Sequence, residues 1–113
     1  MTGEEMRAIC LSFPGVEEGT SYGRPAFLVN KKFFTRLRSE DASVVLMEVG
    51  FDEREMLIEA EPETFYFTAH YKDYPAVLAR IATLHPGSFR NFLERRWRKI
   101  APKALVRARE AQN

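Results

Sequence analysis

The sequence predicts an α+β fold of two layers, in which helices cover one face of a mainly antiparallel, five-stranded sheet. Three observations lead to this prediction. The 113 residues, 45% of them hydrophobic, suffice for one domain with a packed core, spanning residues 1–113. Apolar residues recur at helical spacing near both ends of the chain and alternate as in strands between them. A sheet in so small a domain needs helices to cover its apolar face.

The first predicted helix covers residues 3–12. Thr2 and Glu5 have the spacing of a capping box, in which each side chain hydrogen-bonds the backbone of the other residue. Apolar side chains then follow at helical spacing. Residues 13–25 contain three glycines and two prolines, and they predict a long irregular loop.

The central part of the chain predicts strands with one short helix between them. Residues 26–38 predict a β-hairpin around Asn30 and Lys31, because Asn tolerates the positive φ of a tight turn. Residues 43–49 are rich in β-branched side chains and predict a third strand. Residues 52–60 then predict the second helix.

Two more strands and two more helices complete the predicted order α-β-β-β-α-β-β-α-α. Residues 65–70 alternate as a strand. Residues 75–84 fit either a helix or a strand, and a strand is favoured because His85 and Pro86 have the pattern of a new helix start. Basic C-terminal helices are therefore expected at about residues 86–112.

Charge is unevenly distributed along the chain. Residues 1–84 carry nine Lys/Arg and fourteen Asp/Glu, a net charge of −5. Residues 85–113 carry eight Lys/Arg and two Asp/Glu, a net charge of +6. A polyanion would therefore be attracted to the C-terminal helices rather than to the rest of the surface.

The sequence indicates a cytoplasmic protein. Its single cysteine, Cys10, excludes an intrachain disulfide and a Cys-x-x-Cys pair. No secretory-signal pattern opens the chain, and no apolar stretch reaches the ~18 residues of a membrane span. We expect no membrane partner, and a monomer or a weak homodimer.

Catalytic and metal-binding patterns are missing from the sequence. It has no phosphate-binding glycine loop and no His-Glu-x-x-His motif. Cys10 lies on the apolar side of the first predicted helix, and His70 and His85 have no third ligand at metal spacing. We therefore expect a protein without enzymatic activity, cofactor or metal.

The second strand of the hairpin is a candidate nucleic-acid surface. Alternation places Lys32, Phe34, Arg36 and Arg38 on one face. Cations that contact phosphates, with a ring that stacks on bases, are typical of single-stranded nucleic-acid binding. The alternative is a solvated strand face on which Glu48 pairs with Arg36.

The C-terminal helices give the stronger electrostatic signal. Four of their cations complete the predicted nucleic-acid site: Arg95, Arg98, Lys99 and Lys103. Such a surface attracts a phosphate backbone in a salt-dependent manner without reading base sequence. The alternative is a solubilising helix face with basic residues near its C-terminal end.

Four segments of the chain resemble the MmcQ/YjbR family. Residues 13–18 (FPGVEE), 22–27 (YGRPAF) and 30–34 (NKKFF) resemble its N-terminal pattern, and residues 97–103 (WRKIAPK) resemble the ending of one branch. The resemblance covers nearly the whole chain. It implies a CyaY-like fold and the DNA-binding role often given to the family, which has no established reaction. Many members carry a Trp where residues 71–75 of this chain read YKDYP.

Three functional hypotheses follow. The leading one is low-specificity binding of nucleic acid, in particular DNA. The second is a small-anion or enzymatic site at the loop of residues 19–25, where Tyr22 and Arg24 present polar groups and Lys31 of the following turn is a further candidate. The guanidinium fork of Arg24 suits a carboxylate or phosphate. The third is a protein-interaction or homodimerisation module, which an exposed Leu105 on the C-terminal helices would support.

Overall fold

The computed structural model describes residues 1–112. Its α-helices are α1 (Gly3–Leu11), α2 (Phe51–Ala60), α3 (Pro86–Ile100) and α4 (Lys103–Ala111), and a 3-10 turn covers Ala69–Tyr71. Its strands are β1 (Val16–Ser21), β2 (Arg24–Val29), β3 (Lys32–Thr35), β4 (Leu37–Arg38), β5 (Ser43–Met47), β6 (Phe65–Tyr66) and β7 (Ala76–Arg80). Of the helices in residues 1–112, none has both the length and the apolar character needed to cross a bilayer.

The strands form two antiparallel sheets that meet at Arg36. The first has the order β1-β2-β3 and the second the order β4-β5-β7-β6. Arg36 lies between β3 and β4, and its carbonyl accepts a hydrogen bond from the Val45 N–H at 3.4 Å. The chain therefore passes from one sheet into the next without a loop. The antiparallel α+β class is confirmed, with seven short strands among the described residues instead of the predicted five.

The first strand was missed by the sequence prediction. The prediction of an irregular loop over residues 13–25 is wrong, because β1 pairs with β2 along its whole length. β1 is an edge strand that exposes Glu17 and Glu18, so no apolar alternation marks it. Tyr22 and Gly23 form the turn with positive φ angles of 51° and 78°, which a two-residue hairpin turn requires.

The strands predicted near residues 65–84 are partly confirmed. β7 pairs with both β5 and β6, and its first four residues are fully buried, so the strand interpretation of residues 75–84 is confirmed for Ala76–Arg80, whereas residues 81–83 form a turn. The strand predicted over residues 65–70 ends at Tyr66 instead. After Tyr66 the chain leaves the sheet and enters the 3-10 turn, since only Phe65 and Tyr66 pair with β7.

The helices α1 and α3 pack on one face of the sheets. The predicted capping box of Thr2 and Glu5 forms at the start of α1. At the start of α3, the His85 side chain accepts a hydrogen bond from the Gly87 N–H at 3.0 Å. The apolar side of α3 is buried in the core, and Trp97, three residues before the end of the helix, donates its Nε1–H to the Pro14 carbonyl at 2.8 Å. Helices on one face of the sheet were predicted, and this layer arrangement is observed.

The last helix, α4, packs against the same core. Leu105 is half-buried there, and a Cβ added to Gly15 would lie only 3.1 Å from its Cδ1. Gly15 also has a φ of 76°, a conformation that favours Gly, so both the backbone angle and the short distance to Leu105 suit a residue without a Cβ. Arg109 ties α4 to α3 by an ion pair with Glu94 at 2.7 Å. Leu105 is thus not the exposed apolar residue that the dimerisation hypothesis needs.

Candidate functional site

The turn of the β2–β3 hairpin lies against the junction of α3 and α4. Asn30 and Lys31 adopt positive φ angles of 54° and 65°, as the hairpin prediction requires. Asn30 Nδ2 donates a hydrogen bond to the Ile100 carbonyl at 3.4 Å. This contact brings Lys32, the first residue of β3, to the C-terminal end of α3.

A groove of about 470 Å³ lies at this junction. We call it the basic groove and define it by its five cations: Lys32, Arg98, Lys99, Lys103 and Arg107. The other lining residues are uncharged, so no carboxylate of residues 1–112 lines it. Four of the seven residues predicted to bind nucleic acid are therefore brought together from two distant parts of the chain.

Two of the groove cations also contact carboxylates outside the groove. Lys99 Nζ lies 3.1 Å from Glu48 Oε1. Arg98 lies 2.8 Å from Glu94 and 3.0 Å from Glu110. The groove cations that make no ion pair within residues 1–112 are Lys32, Lys103 and Arg107. These three carry the uncompensated positive charge of the groove.

The backbone of α4 adds to this positive potential. Lys103 is the first residue of α4, and the preceding Pro102 provides no side-chain cap. Both residues line the basic groove. The first turn of a helix has free N–H groups and a partial positive charge of about +0.5, so it attracts anions.

The predicted site residue Arg95 lies apart from the groove. Its two terminal nitrogens donate to the Glu53 carboxylate at 2.7 and 3.1 Å. This hydrogen-bonded pairing raises the pKa of Arg95 above its ordinary value. The contact joins α3 to α2, so the structure gives Arg95 a bridging position between helices.

Glu48 pairs with α3 rather than with the strand face. Arg96 Nη1 lies 2.9 Å from Glu48, on the carboxylate that Lys99 also contacts. Burial opposes ionisation, but hydrogen bonds from Arg96 and Lys99 outweigh it and lower the pKa of Glu48. The alternative in which Glu48 neutralises Arg36 is therefore wrong, because the carboxylate is occupied by cations of α3.

A second concavity, of about 510 Å³, lies on the outer face of the sheets. Neighbouring residues of β5 face opposite sides of the sheet, so Leu46 packs into the core whereas Met47 lines the concavity. We call it the arginine pocket and define it by three cations: Arg24, Arg36 and Arg38. The remaining lining residues are Ser21, Tyr22, Phe33, Glu40, Met47, Thr68, His70, Tyr71 and Tyr74.

The predicted face of β3 is partly wrong. Phe34, expected beside Arg36 and Arg38, is 0% exposed and belongs to the core. The pairing of β2 with β3 shifts between Phe27 and Leu28, so an extra residue is inserted and the alternation slips by one. Phe33 takes the outward position instead and lines the arginine pocket. Lys32 is separated from Arg36 and Arg38 as well, because it lines the basic groove.

Glu40 lies among the three guanidinium groups of the arginine pocket. Its Oε2 is 3.5 Å from Arg24, 3.2 Å from Arg36 and 3.7 Å from Arg38. A hydrogen bond from its own backbone, followed by the contacts with Arg36 and Arg24, lowers the pKa of Glu40. Asp41 lies 3.5 Å from Arg38 as well, so the three guanidinium groups have two carboxylate neighbours and an excess of one positive charge remains.

Arg38 has incomplete hydrogen bonding. Its side chain is 11% exposed, and its nearest acidic neighbours are Glu40 at 3.7 Å and Asp41 at 3.5 Å. Within residues 1–112, its buried Nε and Nη1 have no hydrogen-bond partner. An unsatisfied buried donor costs about 1–3 kcal/mol. Arg38 therefore lines the pocket with two guanidinium nitrogens that the fold leaves without an acceptor.

Aromatic side chains form the other walls of the arginine pocket. Tyr22 is fully exposed in the β1–β2 turn, beside Arg24. From the other side, the His70 and Tyr71 rings lie 4.7 Å apart, and Tyr74 lies 6.0 Å from His70. The structure thus joins the predicted ligand-loop residues Tyr22 and Arg24 to one pocket. Lys31, the third of that group, lines neither concavity.

Arg54 fixes the segment that carries these rings. It is 6% exposed, and its guanidinium donates to the carbonyls of Tyr71, Lys72, Tyr74 and Ala76. Its Cζ also lies 4.9 Å from the Phe51 ring centroid and 4.0 Å from that of Phe67. Arg54 is not identifiable from the sequence, since a single Arg in a helix rich in charged residues has no pattern that marks it as buried.

The thiol of Cys10 and the imidazoles of His70 and His85 lie in separate places. Cys10 is fully buried, and burial raises the pKa of its thiol to about 12. His85 caps α3, whereas His70 lines the arginine pocket. In the part of the chain that the structure describes, residues 1–112, no three His, Cys, Asp or Glu side chains are grouped as metal ligands.

Comparison with known proteins gives one family and a small set of relatives. The model of a family described as YjbR matches residues 11–99. Similar proteins from Mycobacterium bovis and two strains of Mycobacterium tuberculosis are each described as uncharacterised. Each is 31% identical over 91 residues, covering 78% of this chain and 70% of the relative. No solved structure matches the chain. The matched segment contains the whole arginine pocket but ends before Lys103 and Arg107 of the basic groove.

Proposed function

The chain belongs to the YjbR family, and from that premise we propose that it binds nucleic acid with low sequence specificity through the basic groove. One observation carries the proposal: the groove has five cations and, among residues 1–112, no carboxylate in its lining. Phosphate groups are the anions that such a surface attracts along a strand. The uncapped first turn of α4 favours the same ligand.

The groove is suited to the phosphate backbone rather than to the bases. It has no aromatic lining residue among residues 1–112 on which a base would stack. Its uncharged hydrogen-bonding side chain, Asn30, already donates to the Ile100 carbonyl. Phosphate contacts position a protein on nucleic acid, whereas base contacts provide sequence specificity. Binding is therefore proposed to be tolerant of sequence and sensitive to salt.

The number of free cations sets the expected salt dependence. Lys32, Lys103 and Arg107 would neutralise three phosphates. Counterion release then gives a slope of log K against log salt of about −2.7 for a duplex and about −2.1 for a single strand. For a duplex, raising the salt from about 50 to about 200 mM would weaken binding by about 40-fold.

Fluorescence anisotropy of labelled 20-mer DNA, duplex and single-stranded, tests this proposal over a series of salt concentrations. Replacing Lys32, Lys103 and Arg107 together by Ala should remove most of the slope, since each phosphate contact contributes about 0.9 to it in a duplex. Arg90→Ala is the matched control, because Arg90 is exposed on α3 about 15 Å from the groove end of the helix. A parent chain that gives no anisotropy change, or a triple variant with the parent's slope, would contradict the proposal.

A further inference from the structure

We propose that the arginine pocket binds a small molecule in which a phosphate group is joined to a planar ring system, the chemistry of a free mononucleotide. The pocket uses none of the residues of the basic groove. It therefore constitutes a second site on a different part of the surface. This inference does not depend on the proposed binding of nucleic acid.

The arrangement around Glu40 favours phosphate over carboxylate. Glu40 already places one carboxylate oxygen within 3.2 to 3.7 Å of the guanidinium groups of Arg36, Arg24 and Arg38. A ligand carboxylate of equal charge would have to displace this tethered group without an electrostatic gain. A phosphate monoester carries a charge of about −1.5 to −2 and three acceptor oxygens, so it can displace Glu40 and still gain.

The hydrogen-bonding state of Arg38 supports the same ligand. Two of its three guanidinium nitrogens are buried without a hydrogen-bond partner in residues 1–112. Guanidinium forks match the geometry of phosphate oxygens, and a buried polar group without a partner in a concavity marks a candidate ligand site. Arg38 lines the pocket together with Arg36 and Arg24, and a small movement of its side chain toward a bound phosphate would give these two nitrogens the acceptors that they lack.

The aromatic walls supply the complement for a ring. Tyr22 adopts a φ of 51° in a turn that favours Gly, Asn or Asp, so the preference of the turn does not explain why a Tyr stands there. It is fully exposed at the mouth of the pocket, and Tyr74, 52% exposed, stands on the opposite segment. The volume of about 510 Å³ lies within the range of small-ligand pockets.

Isothermal titration calorimetry with adenosine monophosphate, adenosine and inorganic phosphate tests the inference. The monophosphate should bind at least about 10-fold more tightly than either of the other two probes, since it alone uses both walls. Arg24→Ala should weaken its binding by about 10-fold, because Arg24 is 59% exposed and contributes one charge-assisted contact. Glu40→Gln should strengthen it by about 3- to 10-fold, since the competing charge is removed. Arg90→Ala is the control and should leave it unchanged, because Arg90 is exposed and lines neither concavity. Lys103→Ala separates the pocket from the basic groove.

Several results would overturn the inference. The inference fails if adenosine monophosphate binds no more tightly than inorganic phosphate. It also fails if Arg24→Ala and Glu40→Gln both bind adenosine monophosphate with the parent's affinity. A loss in Lys103→Ala would place the ligand in the basic groove instead. A final arm titrates a single-stranded 20-mer: if Arg24→Ala weakens the 20-mer and not the monophosphate, the pocket belongs to strand binding. These outcomes leave the salt dependence of the groove variants, and thus the proposed function, to be judged separately.

Discussion

Replacement of Arg54 by Met is expected to destabilise the fold by about 3.5–7 kcal/mol. The four hydrogen bonds that Arg54 donates to carbonyls span 2.9 to 3.3 Å, and one of them reaches the buried carbonyl of Ala76. Hydrogen bonds from a charged group contribute about 1.5–3 kcal/mol each, but the carbonyls nearer the surface regain water when the guanidinium is removed. We therefore count about two bonds, together with about 0.5–1 kcal/mol from the rings of Phe51 and Phe67.

Urea unfolding followed by the fluorescence of Trp97 measures this loss. Trp97 is the only tryptophan of the chain and is fully buried, so its emission reports on the core. Met keeps an aliphatic stem between the two rings, so the measured change isolates the guanidinium. Arg90→Met is the matched control, and a change within about 0.5 kcal/mol is expected for this exposed residue. If Arg54→Met unfolds within about 1 kcal/mol of the parent, the structural role assigned to Arg54 is wrong.

Two further predictions concern titratable groups. Hydrogen bonds from Arg109 lower the pKa of Glu94, and those from Arg96 and Lys99 lower that of Glu48 against burial. Their stabilisation is complete above the unfolded-state pKa and disappears as the pH falls through the folded-state pKa. The urea concentration at the unfolding midpoint should therefore fall as the pH drops below about 4.5, and it should fall less steeply in Glu48→Gln than in the parent chain. Equal pH profiles of the two chains would contradict this. The thiol of Cys10, with a pKa of about 12, should resist thiol reagents at pH 8 until urea unfolds the chain, and rapid labelling of the native protein would refute its burial.

The helices and buried strands could be predicted from the sequence because local chemistry marks them. The capping box at Thr2 and the His85-Pro86 start each define a helix by groups three residues apart or fewer. The apolar run that contains β7 fits a helix as well as a strand, and the helix start at His85-Pro86 is what favoured the strand, which is buried on both faces. In these elements the local preference and the tertiary structure agree, so a single sequence suffices.

The elements that were missed depend on contacts that sequence patterns do not show. β1 is polar, since it pairs by its backbone at a sheet edge and buries little. The slip that turns Phe34 inward and Phe33 outward comes from one extra residue opposite Phe27 and Leu28. Alternation alone gives no sign of such a bulge, so the predicted face of β3 mixed residues of two sites.

The candidate sites were predictable in residue type but not in grouping. The sequence indicated that Lys32 and the cations of α3 and α4 matter, and the hydrogen bond from Asn30 to Ile100 is what brings them together. It gave no means of separating Lys103, which is unpaired within residues 1–112, from Arg95, which Glu53 occupies. Ion pairs between distant elements decide which cations remain available to a ligand.

NMR mapping would locate the surface at which nucleic acid contacts the protein, which we propose to be the basic groove. Amide shifts of the ¹⁵N-labelled chain would be recorded while an unlabelled 12-mer duplex is added at low salt. We expect the largest shifts on Lys32 and on residues 98–107, and we expect them to reverse when salt is added. Shifts confined to the arginine pocket, or spread evenly over the surface, would contradict it.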